Sequence, residues 1–173
     1  IASSLVGSEM CIRDRSTARA PEPDGFTSHL PPNTTHAYTD GSYDDGYTFA
    51  MGARRKVSDE SRAGWAVVVL KEGDGEDDVN ARLMGARWGV VSGDKKSNNV
   101  AELRALVELL KWLLNEDANN TDPVLIRTDS TYAADIARGR CKPGDDLGRE
   151  ARDLWRRARE ERKGMLWWRH VKG

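Results

Sequence analysis

One helix organises this chain. From Asn99 to Asn115, apolar residues recur at Leu103, Leu106, Val107, Leu110 and Leu114. This is the i, i+3, i+4, i+7 spacing of a helix that lays one face on a core. The helix carries one misfit. Leu106, Leu109 and Leu113 line up below Glu102, so a carboxylate continues the apolar face. A capping box is one explanation: Asn99 caps the helix and Glu102, three residues on, reaches back to it. An acid in the first turn also suits the helix dipole. The other explanation is a carboxylate with a chemical task, and that depends on which other acids join it.

Two short runs have matching form. His36-Ala37-Tyr38-Thr39-Asp40-Gly41-Ser42 reads as a strand ending in an acid and a tight turn. Val124-Leu125-Ile126-Arg127-Thr128-Asp129-Ser130 reads as a buried strand ending in Thr-Asp-Ser. Each acid alone suits a turn, and Asp129 or Ser130 suits the N-cap of the helix that follows. Taken with Glu102, they place three acids at two strand ends and one helix start.

Thr-Asp-Gly-Ser, then Asn-Asn-x-x-Glu-Leu, then Thr-Asp-Ser, in this order and spacing, resembles type 1 ribonuclease H. Trp168-Arg169-His170-Val171-Lys172-Gly173 is similar to that family's last-strand segment, so the resemblance spans Ala37 to Gly173. It implies an α/β fold: a five-stranded mixed sheet, three antiparallel strands then two parallel, flanked by helices. It implies an endonuclease that hydrolyses the RNA strand of RNA/DNA hybrids. Asp40, Glu102 and Asp129 would ligate two Mg²⁺ or Mn²⁺ ions and form the catalytic set. Asn98 and Asn99 would meet the hybrid in its minor groove, Ser42 would touch the RNA strand, and Ser97 and Lys95 stand at phosphate-pocket positions. Asn98 and Asn99 also suit pure helix capping. The family's fourth metal-site Asp and mobile His lie beyond Val-Lys-Gly, so the chain is expected to lack the domain's C-terminal end and to cleave weakly or not at all. His170 is not that His. The Trp-rich basic protrusion of bacterial relatives has no counterpart, and Gly46 stands near the place of a family Asn. Two other readings are a noncatalytic hybrid-binding module and the ribonuclease H domain of a retroelement polyprotein.

The chemistry of the acids points the same way. Converging carboxylates are costly to ionise unless a cation joins them. All-oxygen ligands select a hard ion such as Mg²⁺ or Mn²⁺. No His/Cys set is present to hold zinc, and no Gly-x-x-x-x-Gly-Lys loop to cradle a nucleotide. Ser42 and Ser130 lack a plausible His partner among His29, His36 and His170.

The 173 residues suffice for one domain plus a tail. Residues 1–35 are Pro-rich and aperiodic and are expected to form a disordered tail, in part artefactual, because Leu5–Asp14 is similar to a translated sequencing adaptor. Residues 36–173 are the expected domain. The longest apolar run, Trp65–Leu70, is too short for a membrane span. Two cysteines, Cys11 and Cys141, make neither a metal-ligand spacing nor a disulfide framework, so the expectation is an intracellular, reducing compartment. A monomer is expected. The net charge of −1 is unlike that of an obvious nucleic-acid binder. Arg127 to Gly173, however, holds 13 Lys and Arg against 8 Asp and Glu, concentrated over Arg152–Lys163. That segment reads as a solvated helix laced with ion pairs, or as a footprint for phosphates.

The expected elements are a strand to Asp40, a long loop Asp44–Arg62, strands Arg62–Leu70 and Ala81–Val91 with bulges at Gly85 and Gly89, and the helix Asn99–Asn115. After these come the strand Val124–Thr128, helices Thr131–Arg138 and Asp145–Lys163, and the strand Met165–Val171.

Overall fold

The computed structural model describes residues 30–31, 33–50, 53–56, 61–71, 81–93 and 96–172. Of the tail expected over residues 1–35, residues 1–29 and 32 lie outside them. Thr34 and Thr35, which fall within that expected tail, are buried.

In chain order the elements are β1 (Thr35–Asp44), β2 (Tyr47–Ala50), β3 (Ala53–Lys56), β4 (Arg62–Lys71), β5 (Arg82–Val90), α1 (Asn98–Asn115), β6 (Val124–Thr128), α2 (Thr131–Ala137), α3 (Asp146–Glu161) and β7 (Leu166–His170). Five strands form the expected mixed sheet, ordered β5-β4-β1-β6-β7. β4 pairs antiparallel with β1 and β5, while β6 pairs parallel with β1 and β7. The parallel pairs need crossovers, which α1 and then α2 with α3 provide.

α1 is buried nearly all round, because it lies between the sheet and α3. Ala37, Val67, Val69, Val124, Ile126 and Leu166 point from the sheet into the same cluster. The alternate residues face the other way. There Tyr38, Ala66 and Val68 are half-buried, and Ala86, Trp88 and Val90 are exposed.

Several expectations need correction. β1 does not turn after Asp40: Gly41 and Ser42 continue the strand opposite Trp65 and Gly64. The turn comes at Gly46, whose N–H donates to Asp44 Oδ1 at 2.9 Å. The expected loop 44–62 contains the separate β2–β3 hairpin. The β4–β5 register slips between Val69 and Leu70, leaving Met84 unpaired beside Gly85, as expected of a bulge. Gly89 is no bulge. A Cβ there would lie 2.8 Å from the Trp65 ring, so the glycine makes room for an indole.

Nor is α3 simply a solvated charged helix. Arg149 and Arg156 pair at the surface with Asp146 and Asp153. Arg152 donates to the Cys141 carbonyl instead. Arg162 is 2% exposed and joins the α1–β6 connection through Asp117 and the Asp122 carbonyl.

Candidate metal centre at the ends of β1 and β6

Asp40 and Asp129 are brought together by strand register. Thr39 pairs with Thr128 on the parallel strands β1 and β6, so each acid is one residue past the same rung. Parallel neighbours in phase point to the same side, about 4.8 Å apart. Both side chains are exposed. Asp129 is left out of the helix cap that follows: Ser130 caps α2 by accepting the Ala133 N–H at 3.2 Å. Thr128 Oγ1 accepts the Ser130 N–H at 3.1 Å and fixes the bend that presents Asp129.

Glu102 comes from the first turns of α1. Asn99 is not the cap and there is no capping box. Ser97 is the N-cap, its Oγ accepting the Val100 N–H at 3.2 Å. Glu102 is thereby free of that task and turns inward, 4% exposed. Gly41 sets its approach. A Cβ on Gly41 would fall 2.2 Å from the Glu102 nitrogen and 2.5 Å from the Ala101 carbonyl carbon, so only glycine lets β1 meet the helix backbone. The Gly41 N–H donates to the Glu102 carboxylate. Among the described residues, Glu102 Oε2 is buried without a hydrogen-bond partner.

One ligand atom from each of Asp40, Glu102 and Asp129 lies within 4.8 Å of the others. The electrostatic cost falls on Glu102. Burial first, then the charges of Asp129 and Asp40, push its pKa from 4.5 up to about 7, against a lowering by the Gly41 N–H. A buried, orphaned carboxylate oxygen in an all-oxygen set fits a hard divalent cation. The group of three can therefore bind a metal.

This has a consequence for stability. Between pH 4.5 and about 7 the folded chain holds the Glu102 proton that the unfolded chain releases. Raising pH through that window therefore costs stability, on the order of 3 kcal/mol in full. Without divalent ions the melting temperature should fall from about pH 5 to about pH 8, and Mg²⁺ should restore much of the loss at the higher pH. A melting temperature that rises with pH without added metal would contradict the burial of this acid.

The other expected site residues are spread around this centre. Ser42 is exposed two residues past Asp40 on β1. Asn98 is exposed and Asn99 half-buried in the first turn of α1. Lys95 lies outside the described residues. Lys96, next to it, donates to the Ser61 carbonyl at 3.1 Å. His170 ends β7 facing solvent, opposite Thr128.

Two features near the acids escaped the sequence reading. A pocket of about 310 Å³ opens on the sheet face that none of the described helices covers, lined by Tyr38, Thr39, Asp40, Ala66, Val68, Arg127, Asp129 and Val171. Within it the Arg127 guanidinium lies over the Tyr38 ring at 5.5 Å. The only sequence signal is an arginine within an otherwise apolar strand.

No protein-family model matches the chain, and no curated protein matches it. Solved structures do. A ribonuclease H1 isolated from compost by a metagenomic approach, LC11-RNase H1 in complex with RNA/DNA hybrid, is 21% identical with a TM-score of 0.52, over 79% of this chain and 84% of that one. The N-terminal ribonuclease H domain of rv2228c from Mycobacterium tuberculosis is 17% identical with a TM-score of 0.50, over 80% and 82%. The protease–reverse transcriptase of prototype foamy virus is 17% identical with a TM-score of 0.59, over 89% of this chain and 19% of that one. At such identities the likeness is one of fold, and the chain has the ribonuclease H fold.

Proposed function

We propose that this chain, built on the ribonuclease H fold, is a metal-dependent endonuclease that hydrolyses the RNA strand of RNA/DNA hybrids. The observation that carries the reading is the meeting of Asp40, Glu102 and Asp129, with a buried carboxylate oxygen left unpartnered. The solved ribonuclease H1 with its RNA/DNA hybrid supports the substrate class.

In this reading the exposed Asp40 and Asp129 and the buried Glu102 would hold the cations. Two bound Mg²⁺ or Mn²⁺ ions would supply an activated water and stabilise the leaving oxygen of the phosphodiester. Gly41 fixes Glu102 through its N–H and by its close approach. Asn98 and Asn99, beside Glu102 at the start of α1, contact the minor groove, where A-form geometry exposes 2′-hydroxyls to polar side chains. Ser42 continues β1 toward the RNA strand. The Ser97 oxygen accepts a helix N–H, and its own proton remains to donate to a phosphate; Lys95, two residues earlier in the sequence, would supply a cation to the same group.

The test is cleavage of a labelled hybrid with Mg²⁺ or Mn²⁺, and with EDTA. Cleavage is expected only with metal, and equal cleavage in EDTA would overturn the proposal. Hybrid binding without cleavage in either metal, both in this chain and in a version extended past Gly173, would favour the noncatalytic module. The foamy-virus match favours a second setting for the same chemistry, as one portion of a longer reverse-transcriptase protein.

Because Ser97 is the cap, the asparagines can be tested apart from stability. Asn98→Ala with Asn99→Ala should weaken hybrid binding several-fold and leave melting nearly unchanged. Ser97→Ala should instead cost about 1 kcal/mol of stability. Fluorescence-anisotropy titrations and thermal melts of both variants decide this. Unchanged affinity in the double variant would leave the asparagines without a role in binding.

A further inference from the structure

The sheet face left uncovered by the described helices carries a shelf that leads away from the acids. Two rungs define it. In one, Trp88 on β5 pairs with Ala66 on β4, which pairs with Asp40 on β1. In the next, Val90 pairs with Gly64, which pairs with Ser42. The middle strand offers only small residues, so nothing rises between the outer strand and the acids. The outer strand offers the opposite: Trp88 is 78% and Val90 77% exposed. An indole left this open on an edge strand has a cost in water that a partner would remove. Arg62 is exposed two residues beyond Gly64 on the same face, and Arg127 borders the pocket on the far side. The shelf is thus an aromatic platform with Arg62 at one end, opposite Asp44, and it is continuous with the candidate metal centre, beyond which Arg127 lies over Tyr38.

We propose that Trp88 is a stacking platform for an unpaired nucleotide, and that the chain binds hybrids bearing a single-stranded extension across β4 and β5. The inference rests on the endonuclease reading above and specifies its substrate. Geometry sets the scale. Two strand spacings separate Trp88 from Asp40, about 10 Å. That is about three nucleotides of a stacked strand at ~3.4 Å per nucleotide. Chemistry sets the type of nucleic acid. Bases inside a duplex have both faces covered, so an indole can stack only on an unpaired or terminal base. Such stacking is tolerant of sequence and adds to backbone contacts by cations. Ala66 and Gly64 let the backbone of the strand pass close to the sheet, and Arg62 lies where a phosphate of that strand would run.

The experiment compares the affinity of the full chain for two hybrids, one blunt and one carrying a short single-stranded extension, in wild type, Trp88→Ala and Trp88→Phe. Wild type is expected to bind the extended hybrid about tenfold more tightly, Trp88→Ala to lose that preference, and Trp88→Phe to keep most of it. All three should melt alike, since the side chain is exposed. An equal preference in wild type and Trp88→Ala would overturn the proposal, even with cleavage intact. So would self-association of wild type that Trp88→Ala abolishes without changing either affinity, because the face would then be an interface between copies. Failure of the endonuclease reading looks different: no metal-dependent cleavage, with the extension preference present or not.

Discussion

Cleavage of a hybrid's RNA strand should fall by about 10²–10³ or more in Asp129→Asn, and by a similar factor in Asp40→Asn and Glu102→Gln. Each substitution keeps the shape of the side chain and removes one negative charge from a centre whose ligand atoms lie within 4.8 Å of one another. A divalent cation held by three carboxylates loses affinity and position with any one of them. Stability should move the other way. Burial and two neighbouring acids hold the Glu102 pKa up to about 7, so its ionised form is under strain at neutral pH without metal. Glu102→Gln relieves that strain, and metal-free protein should melt higher at about pH 8 while Mg²⁺ no longer raises the melting point. Opposite signs for activity and stability are hard to obtain from misfolding. Rate measurements and melts on the same preparation check both, and a well-folded Asp129→Asn variant with wild-type turnover would remove the basis of the proposed mechanism.

The second large effect concerns the fold. Arg162→Ala should cost about 3–5 kcal/mol, because it strands buried partners. The Arg162 side chain donates to Asp117 Oδ2 at 2.7 Å and to the Asp122 carbonyl at 2.9 Å, and is 3% exposed against 11% for Asp117. Asp122 in turn pairs with Lys71 at the end of β4, at 2.6 Å. One guanidinium therefore ties the end of α3 to the connection that delivers β6. Removing it leaves the Asp117 carboxylate poorly solvated and two contacts unmade. Replacing Arg162 by Met together with Asp117 by Asn should cost less than Arg162→Ala alone, since no buried charge is then left single. Arg156 on the same helix is the control. Its pair with Asp153 is solvent-exposed, and Arg156→Ala should change stability by less than about 0.5 kcal/mol. Urea unfolding of the three variants measures this, and an Arg162→Ala midpoint equal to that of wild type would contradict the buried clasp.

Much of this was legible in the sequence, for physical reasons. Glu102 stood out because an acid interrupted an apolar stripe, and the strand periods placed Asp40 and Asp129 at matching ends. Gly41 was misread because a glycine after Asp suits a turn as well as a close contact. Only the helix that arrives sixty residues later decides between them. The cap was misplaced because Ser97, Asn98 and Asn99 are all strong N-cap residues in a row. Arg162 was visible in principle. Ala151, Trp155, Ala158 and Arg162 share one stripe of α3, so the arginine ends a buried face just as Glu102 begins one. Counting charges along the segment hid that. Trp88 gave little warning, since a tryptophan in a strand suggests core, and only the sheet order shows that β5 is an edge.

The contact between Gly41 and the start of α1 also bears on motion. The acids come from three segments far apart in sequence, and two of those segments touch backbone to backbone. A cation bound there would act as a cross-link among β1, α1 and β6, adding its binding free energy to the opening of all three. These elements would then exchange their amide hydrogens as one cooperative unit, while the β5 edge opens separately. Loss of the cation would loosen the middle of the sheet and leave its rim as it was.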